Sequence, residues 1–315
     1  MDAWSRFWRQ GHTTTFGDYF DKGYAGPVKN WLDSLPQLIR WTDEPLNVLE
    51  LCCGNGSLLP FLFSLERPFD YTGVDAAKVA LPDKLQDGMK LATGSVSLLG
   101  NTPIESLPES IQAVSMALSI YGMEYSRLEE ALASLHGRMA PQGQLFALMH
   151  HSESIVAKMS ARAVAEYDEA DIEAIRQALT TIDRVLITSG SIEMLKADQQ
   201  AEDARKFMNG MGNKYIRGAT MDTGNAFMAD HVLAALRFFK LLGHRAEERS
   251  HFIDELGQEA SAAKERHKQM LSVAKTAEEM QYLADAMRSI GWSGVQYQEL
   301  INKEDIIGWT LTASV

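Results

Sequence analysis

The stretch Asn47-Val-Leu-Glu-Leu-Cys-Cys-Gly-Asn-Gly-Ser57 constrains this chain more than any other. Val48, Leu49 and Leu51 read as a buried strand, because a strand covered on both faces shows a near-continuous apolar run. Glu50 interrupts that run with a charge that needs partners once it is buried. Gly54 and Gly56 follow, and they allow a sharp turn and a close approach of backbone to a ligand. Leu58 to Leu65 begins a helix whose N-terminus would face such a ligand. A second apolar strand, Tyr71-Thr-Gly-Val-Asp75, ends in an acid, the residue type that grips a ribose hydroxyl pair. Strand, glycine turn, helix and strand in this order predict an open parallel α/β sheet.

Two nucleotide classes fit such a start. The dinucleotide fingerprint G-x-G-x-x-G places a third glycine where this chain has Leu59, and it has no acid at the position of Glu50. Acid-x-x-x-Gly-x-Gly, followed by an acid at the end of the next strand, resembles the class I S-adenosylmethionine-dependent methyltransferases. The resemblance covers roughly 46–151 and 277–315. In the second part, a helix over 277–290 precedes two strands at 292–300 and 306–312, similar to that family's final antiparallel hairpin. The resemblance implies a Rossmann-like, mostly parallel sheet with helices on both faces, and S-adenosylmethionine as cofactor. It also implies a contact set of Glu50, Cys52, Gly54, Asn55 and Gly56 at the glycine turn, with Asp75 and Ala76 at the ribose. Val96-Ser-Leu-Leu99, running into Gly-Asn-Thr-Pro-Ile-Glu-Ser-Leu-Pro108, resembles the family's third motif and places Asn101 and Thr102 at the adenine. The family more often has Asp where Asn101 stands, but an amide still accepts from the adenine amino group.

Strands are expected at 46–51, 70–75, 95–99, 111–119 and 143–150. Ligands of open α/β sheets gather at the carboxyl ends of the strands, which puts Ser119, Tyr121, Glu124 and Tyr125 near the transferable methyl. Glu124 equally suits the first turn of the next helix. Tyr121 is expected to line the pocket, since free tyrosine has a pKa of about 10. The fifth strand runs into His150 and His151, candidates for a general base. Adjacent strand residues point to opposite faces, so the pair does not readily share an ion, and no metal site is expected.

Residues 1–45 carry Trp4, Phe7, Trp8, Phe16, Tyr19, Phe20, Tyr24, Trp31 and Trp41. The polar residues among them favour a lid, with His12, Phe16, Tyr19 and Tyr24 facing the substrate. The alternative is a cover for one edge of the sheet. Residues 152–276 interrupt the family pattern as a helical cap. Ile172, Ile175, Leu179, Ile182 and Leu186 mark one amphipathic helix, and 231–242 and 247–273 mark two more. Glycines and polar residues predict a loop over 209–225, where Tyr215 and Arg217 are candidate substrate contacts. This insertion suits substrate selection, or a homodimer.

A net charge of −12, from 42 acids against 30 bases, argues against a nucleic-acid partner. The adjacent cysteines Cys52 and Cys53 rarely could bridge, which suits a reduced, cytoplasmic protein. No apolar run reaches membrane-spanning length, and no signal peptide is apparent. The expected function is methyl transfer to a small-molecule O, N or S acceptor. A non-catalytic cofactor-binding or interaction protein is the alternative, and a nicotinamide dehydrogenase the third reading.

Overall fold

A computed structural model describes residues 2–16, 23–83, 85, 94–217 and 224–315. Two compact units emerge from the contacts: Met1–Met159 with Gln269–Val315, and Ser160–Lys268. Their strands are β1 (Leu46–Leu51), β2 (Phe69–Val74), β3 (Val96–Leu99), β4 (Val114–Ile120), β5 (Met139–Met149), β6 (Ser293–Asn302) and β7 (Asp305–Ser314). Their helices are α1 (Ala3–Trp8), α2 (Gly26–Ser34), α3 (Leu59–Ser64), α4 (Leu128–His136), α5 (Ile155–Glu166) and α6 (Glu169–Ser189). These are followed by α7 (Ile192–Ala197), α8 (Gln199–Gly212), α9 (Ala226–Leu236), α10 (Ala246–Val273) and α11 (Ala277–Ile290).

All seven strands lie in the first unit, in the order β3-β2-β1-β4-β5-β7-β6. The first five pair in parallel, and β7 runs antiparallel between β5 and β6. This is the doubly wound order, closed by the expected antiparallel hairpin. The chain winds outward from β1 to β3 and then returns to the other side of β1 for β4. A crevice therefore opens at the carboxyl ends of β1 and β4, where the order reverses.

Alternating strand residues feed the two faces. Leu49, Leu145 and Ala147 join α4 and α11 through Leu132, Leu135, Met280 and Met287. Val48, Phe146 and Leu148 join α2 and α3 through Leu32, Leu59 and Leu62. Helix α11 starts with a reciprocal capping box between Thr276 and Glu279 and stops at Gly291 in the left-handed region. The fifth strand begins at Met139 rather than 143, because Met139 already pairs with Val114. Glu124 does not open the next helix: it lies in a 3-10 turn at Met123–Tyr125, and the helix begins only at Leu128.

The second unit has its own core, including Ile175, Leu179, Met208, Val232 and Phe238. A buried ion pair between Arg249 and Asp183, 2.5 Å apart, crosslinks α10 to α6. The loop expected over 209–225 is a correction. Helix α8 continues to Gly212, and a π-helical turn follows over Asn213–Arg217; residues 218–223 lie outside the described set. The Asp198 cap and the buried Ala201 and Met208 hold this helix against the cost of Gly210 and Gly212, about 1 kcal/mol each.

Candidate functional site

Glu50 is buried near the end of β1, and its carboxylate gathers the turn that follows. The Ser57 hydroxyl donates to Oε1 at 2.6 Å, while the Tyr71 hydroxyl and the Leu58 N–H donate to Oε2 at 2.7 and 3.2 Å. Burial nevertheless pushes its pKa up to about 7. Past β1, Cys52 and Gly54 both take left-handed φ values, 53° and 51°. Burial pushes both cysteine thiols up, so they stay protonated.

Asp75 follows β2 and ties three strand ends together. The Gly54 N–H donates to its Oδ2 and the Ala77 N–H to its Oδ1, each at 2.8 Å. The Thr102 N–H donates to the Asp75 carbonyl at 2.8 Å, and the Asn101 N–H to the Ala77 carbonyl at 3.0 Å. A carboxylate offers about four lone-pair positions, so these two side-chain bonds leave acceptor capacity for a hydroxyl pair. Burial raises the Asp75 pKa from its ordinary value.

The N-terminal segment lies directly on the turn. Asn55, only 1% exposed, donates through Nδ2 to the carbonyls of Trp8 and His12 at 2.7 and 2.9 Å. Its Oδ1 accepts the Ala80 N–H at 3.0 Å. The Ser5 hydroxyl accepts the Lys78 N–H at 2.9 Å, and Asp2 caps α1 through the Ser5 N–H. The Trp8 indole covers Gly54 so closely that a Cβ there would lie 2.5 Å from the ring. Glycine is needed at this position for that contact as well as for φ.

A cavity of about 190 Å³ opens beside this arrangement. Its walls are Asp2, Trp4, Trp8, Thr15, Tyr24, Cys52, Cys53, Ser57, Asp75, Ala76, Ala77, Ile120, Tyr121, Gly122 and Tyr125. Trp4 meets Tyr125 edge to face at 5.5 Å. Phe16 backs Tyr24 and Tyr121 at 6.3 and 6.1 Å. The Tyr121 hydroxyl donates to the Ile307 carbonyl at 3.0 Å, which fixes its ring. The His12 ring packs on Phe7 at 4.6 Å. Tyr19 lies outside the described residues.

The ends of β4 and β5 form a buried polar layer next to the cavity. The Ser119 hydroxyl donates to the Leu51 carbonyl and accepts the Met123 N–H, both at 3.1 Å, so it joins β1 to the turn after β4. Glu124 Oε1 accepts the His150 N–H at 2.8 Å, while its buried Oε2 has no partner among the described residues. Burial pushes the Glu124 pKa up to about 7 and that of His150 down to about 3. His150 is therefore neutral, stacked on Tyr121 at 4.5 Å with Nε2 3.5 Å from the Tyr125 hydroxyl. His151 turns the other way, onto Trp309 at 4.5 Å, and its Nδ1 accepts the Glu153 N–H at 2.9 Å. Among the described residues no group of three His, Cys, Asp or Glu side chains could hold a metal ion.

Of the residues singled out by sequence, Tyr24, Cys52, Asp75, Ala76, Tyr121 and Tyr125 meet in the cavity wall. Glu50, Gly54, Asn55 and Gly56 build the turn beneath it, and Asn101 and Thr102 serve it through backbone bonds. Tyr215 and Arg217 belong to the second unit, where the Tyr215 hydroxyl donates to Asp171 at 2.5 Å. Sequence reasoning passed over Asp2, Trp4, Trp8, Thr15 and Ser57 as wall residues. The density of aromatics before the first strand signalled the tryptophans, and nothing signalled Asp2.

No protein-family model and no curated protein matches the chain. Among solved structures it is similar to the citrinin polyketide synthase CMeT domain, at 14% identity and a TM-score of 0.44, over 99% of this chain and 59% of that one. It is also similar to a SAM-dependent methyltransferase of Thermotoga maritima, described as a possible histamine N-methyltransferase. The identity is 13% and the TM-score 0.43, over 99% of each chain. A third is the Burkholderia thailandensis 1,6-didemethyltoxoflavin-N1-methyltransferase with 1,6-didemethyltoxoflavin and S-adenosylhomocysteine bound. There the identity is 18% and the TM-score 0.33, over 46% of this chain and 58% of that one. This chain thus spans less than two thirds of the length of the first and third.

Proposed function

We propose that this chain is an S-adenosylmethionine-dependent methyltransferase acting on a small molecule. The observation that carries the reading is Asp75, bonded to the glycine turn at Gly54 and exposed to an aromatic cavity where the strand order reverses. Asp75 would hold the ribose, Asn101 and Thr102 the adenine, and the turn from Glu50 to Gly56 the methionine part. The cofactor, when bound, supplies an activated methyl group. The chain's own residues then bind the acceptor, orient it and keep water out. Trp4, Trp8, Tyr24, Tyr121 and Tyr125 supply the walls for this, and a mostly apolar cavity suits a small acceptor. Glu124 and His150 would set the rings of Tyr121 and Tyr125 from behind. The net charge of −12 counts against a polyanionic partner. The helical insertion would join two copies of the chain. Two free cysteines suit a reducing, cytoplasmic setting.

The test is calorimetry with S-adenosylhomocysteine and, separately, with NAD, followed by transfer of labelled methyl to candidate small molecules. Binding of the first ligand alone, with label transferred, is the expected result. A non-catalytic interaction protein is the second reading, and the Trp8 indole on Gly54 favours it, since it covers backbone that a ligand would approach. Binding of neither ligand would favour that reading over the first, and binding of NAD alone would point to a dehydrogenase.

A further inference from the structure

We propose that the acceptor is an amine, received as an ammonium ion by the rings on the β4 flank of the cavity and relieved of one proton by Glu50 through Ser57. The inference rests on the methyltransferase reading above and deepens it. The sheet order sets Asp75 to Ala77 on one flank of the β1 turn and Ile120 to Tyr125 on the other. With the ribose acid on the β2 flank, the acceptor falls to the β4 flank, among Tyr24, Tyr121 and Tyr125.

Ring faces attract cations, and cages of such rings are a common means of holding an ammonium group. The charged side chains of the described wall are acidic. Asp2 and Asp75 stand in the wall itself, with Glu50 behind Ser57 and Glu124 behind the tyrosines. Among the described wall residues there is no lysine, arginine or histidine. A carboxylate or phosphate acceptor would be desolvated beside these carboxyl groups without a compensating cation, whereas an ammonium ion would be stabilised by them.

An ammonium nitrogen has no free electron pair, so it must lose a proton before it can attack. Ser57 lines the cavity, and its hydroxyl already points its proton at Glu50 Oε1, 2.6 Å away. As the Ser57 oxygen takes a proton from nitrogen, its own proton passes to Glu50. The N–H bond breaks and leaves its electron pair on nitrogen, and an O–H bond forms on the carboxyl group. Ammonium and carboxylate become amine and carboxylic acid, and the total charge does not change. Bonds from Tyr71 and Leu58 hold the other carboxyl oxygen, so Oε1 stays aimed at Ser57.

The experiment uses the full chain saturated with S-adenosylhomocysteine, and calorimetry or ligand-observed NMR with benzylamine, benzyl alcohol and benzoate as matched probes. Benzylamine should bind at least tenfold more tightly than benzoate, and Glu50→Gln should reduce that preference several-fold. Equal binding, preference for benzoate, or no binding of benzylamine overturns the inference. Failure of S-adenosylhomocysteine itself to bind is seen before any probe is added, and it removes the parent reading instead. Once an amine is methylated, Ser57→Ala should lower kcat by about a hundredfold at nearly unchanged amine affinity, and Ser57→Thr should restore it. Full turnover by Ser57→Ala, with cofactor-product affinity confirming its fold, overturns the proton route.

Discussion

Asn55→Ala should release α1 from the glycine turn. Three hydrogen bonds are lost, two to the carbonyls of Trp8 and His12 and one from the Ala80 N–H. At about 0.5–1.5 kcal/mol each, they sum to about 1.5–4.5 kcal/mol, and a buried side chain places the value in the upper half of that range. The packing of Phe7 and Trp8 would oppose complete detachment, since burying such side chains contributes about 1.5–3 kcal/mol apiece. The segment should therefore open more often without the core unfolding. The amides of Arg9, Gln10 and Gly11, bonded to the carbonyls of Ser5, Phe7 and Trp8, report that opening. Their hydrogen exchange in native conditions should accelerate about a hundredfold, which corresponds to about 2.7 kcal/mol. Amides of β1 and β4 should change far less. If all three keep wild-type protection in a folded variant, Asn55 does not hold α1 and its bonds are incidental.

Three further outcomes are expected. Asp75→Ala should weaken S-adenosylhomocysteine by about 1.5–3 kcal/mol, and unchanged calorimetric affinity in the folded variant would take Asp75 out of the ribose role. Gly54→Ala puts a Cβ 2.5 Å from the Trp8 ring and strains a left-handed residue at a cost of about 1–2 kcal/mol. Tryptophan emission should therefore shift, and an unaltered spectrum and urea midpoint would mean the indole is not seated there. Glu50 and Glu124 have folded pKa values raised to about 7, so each contributes stability at low pH that is lost as pH rises from 4.5 through 7, on the order of 3 kcal/mol apiece. His150, depressed to about 3, acts oppositely below 6.5. The urea midpoint should fall most steeply at about pH 6–6.5. Glu50→Gln should flatten that fall, and a midpoint that climbs across the interval would contradict the assignment.

The parallel strands were legible because burial on both faces leaves apolar runs such as Val48 to Leu51 and Leu145 to Met149. The opposed directions of His150 and His151 followed from strand alternation alone. What escaped was decided by partners distant in sequence. Asn55 sits between two glycines in a motif that suggests a ligand, yet its amide is spent on carbonyls some forty residues earlier. Likewise Ser119 stands at a strand end but joins β1 to the turn after β4. Helix α8 was obscured because local glycine propensity is weak against a capped helix with a buried face.

The contact between Trp8 and Gly54 also bears on how such a chain could diverge. A glycine kept by a neighbouring indole is retained for as long as the indole is, whether or not any ligand is still bound. Among descendants, positions 8 and 54 should therefore be linked: a large residue at 8 forbids alanine at 54, and a smaller one leaves only the strain of the left-handed backbone against it. Asn55 should follow the same pair, because without α1 its amide has no carbonyls to serve. The glycine pattern in this lineage would then record the history of its N-terminal helix as faithfully as that of its chemistry.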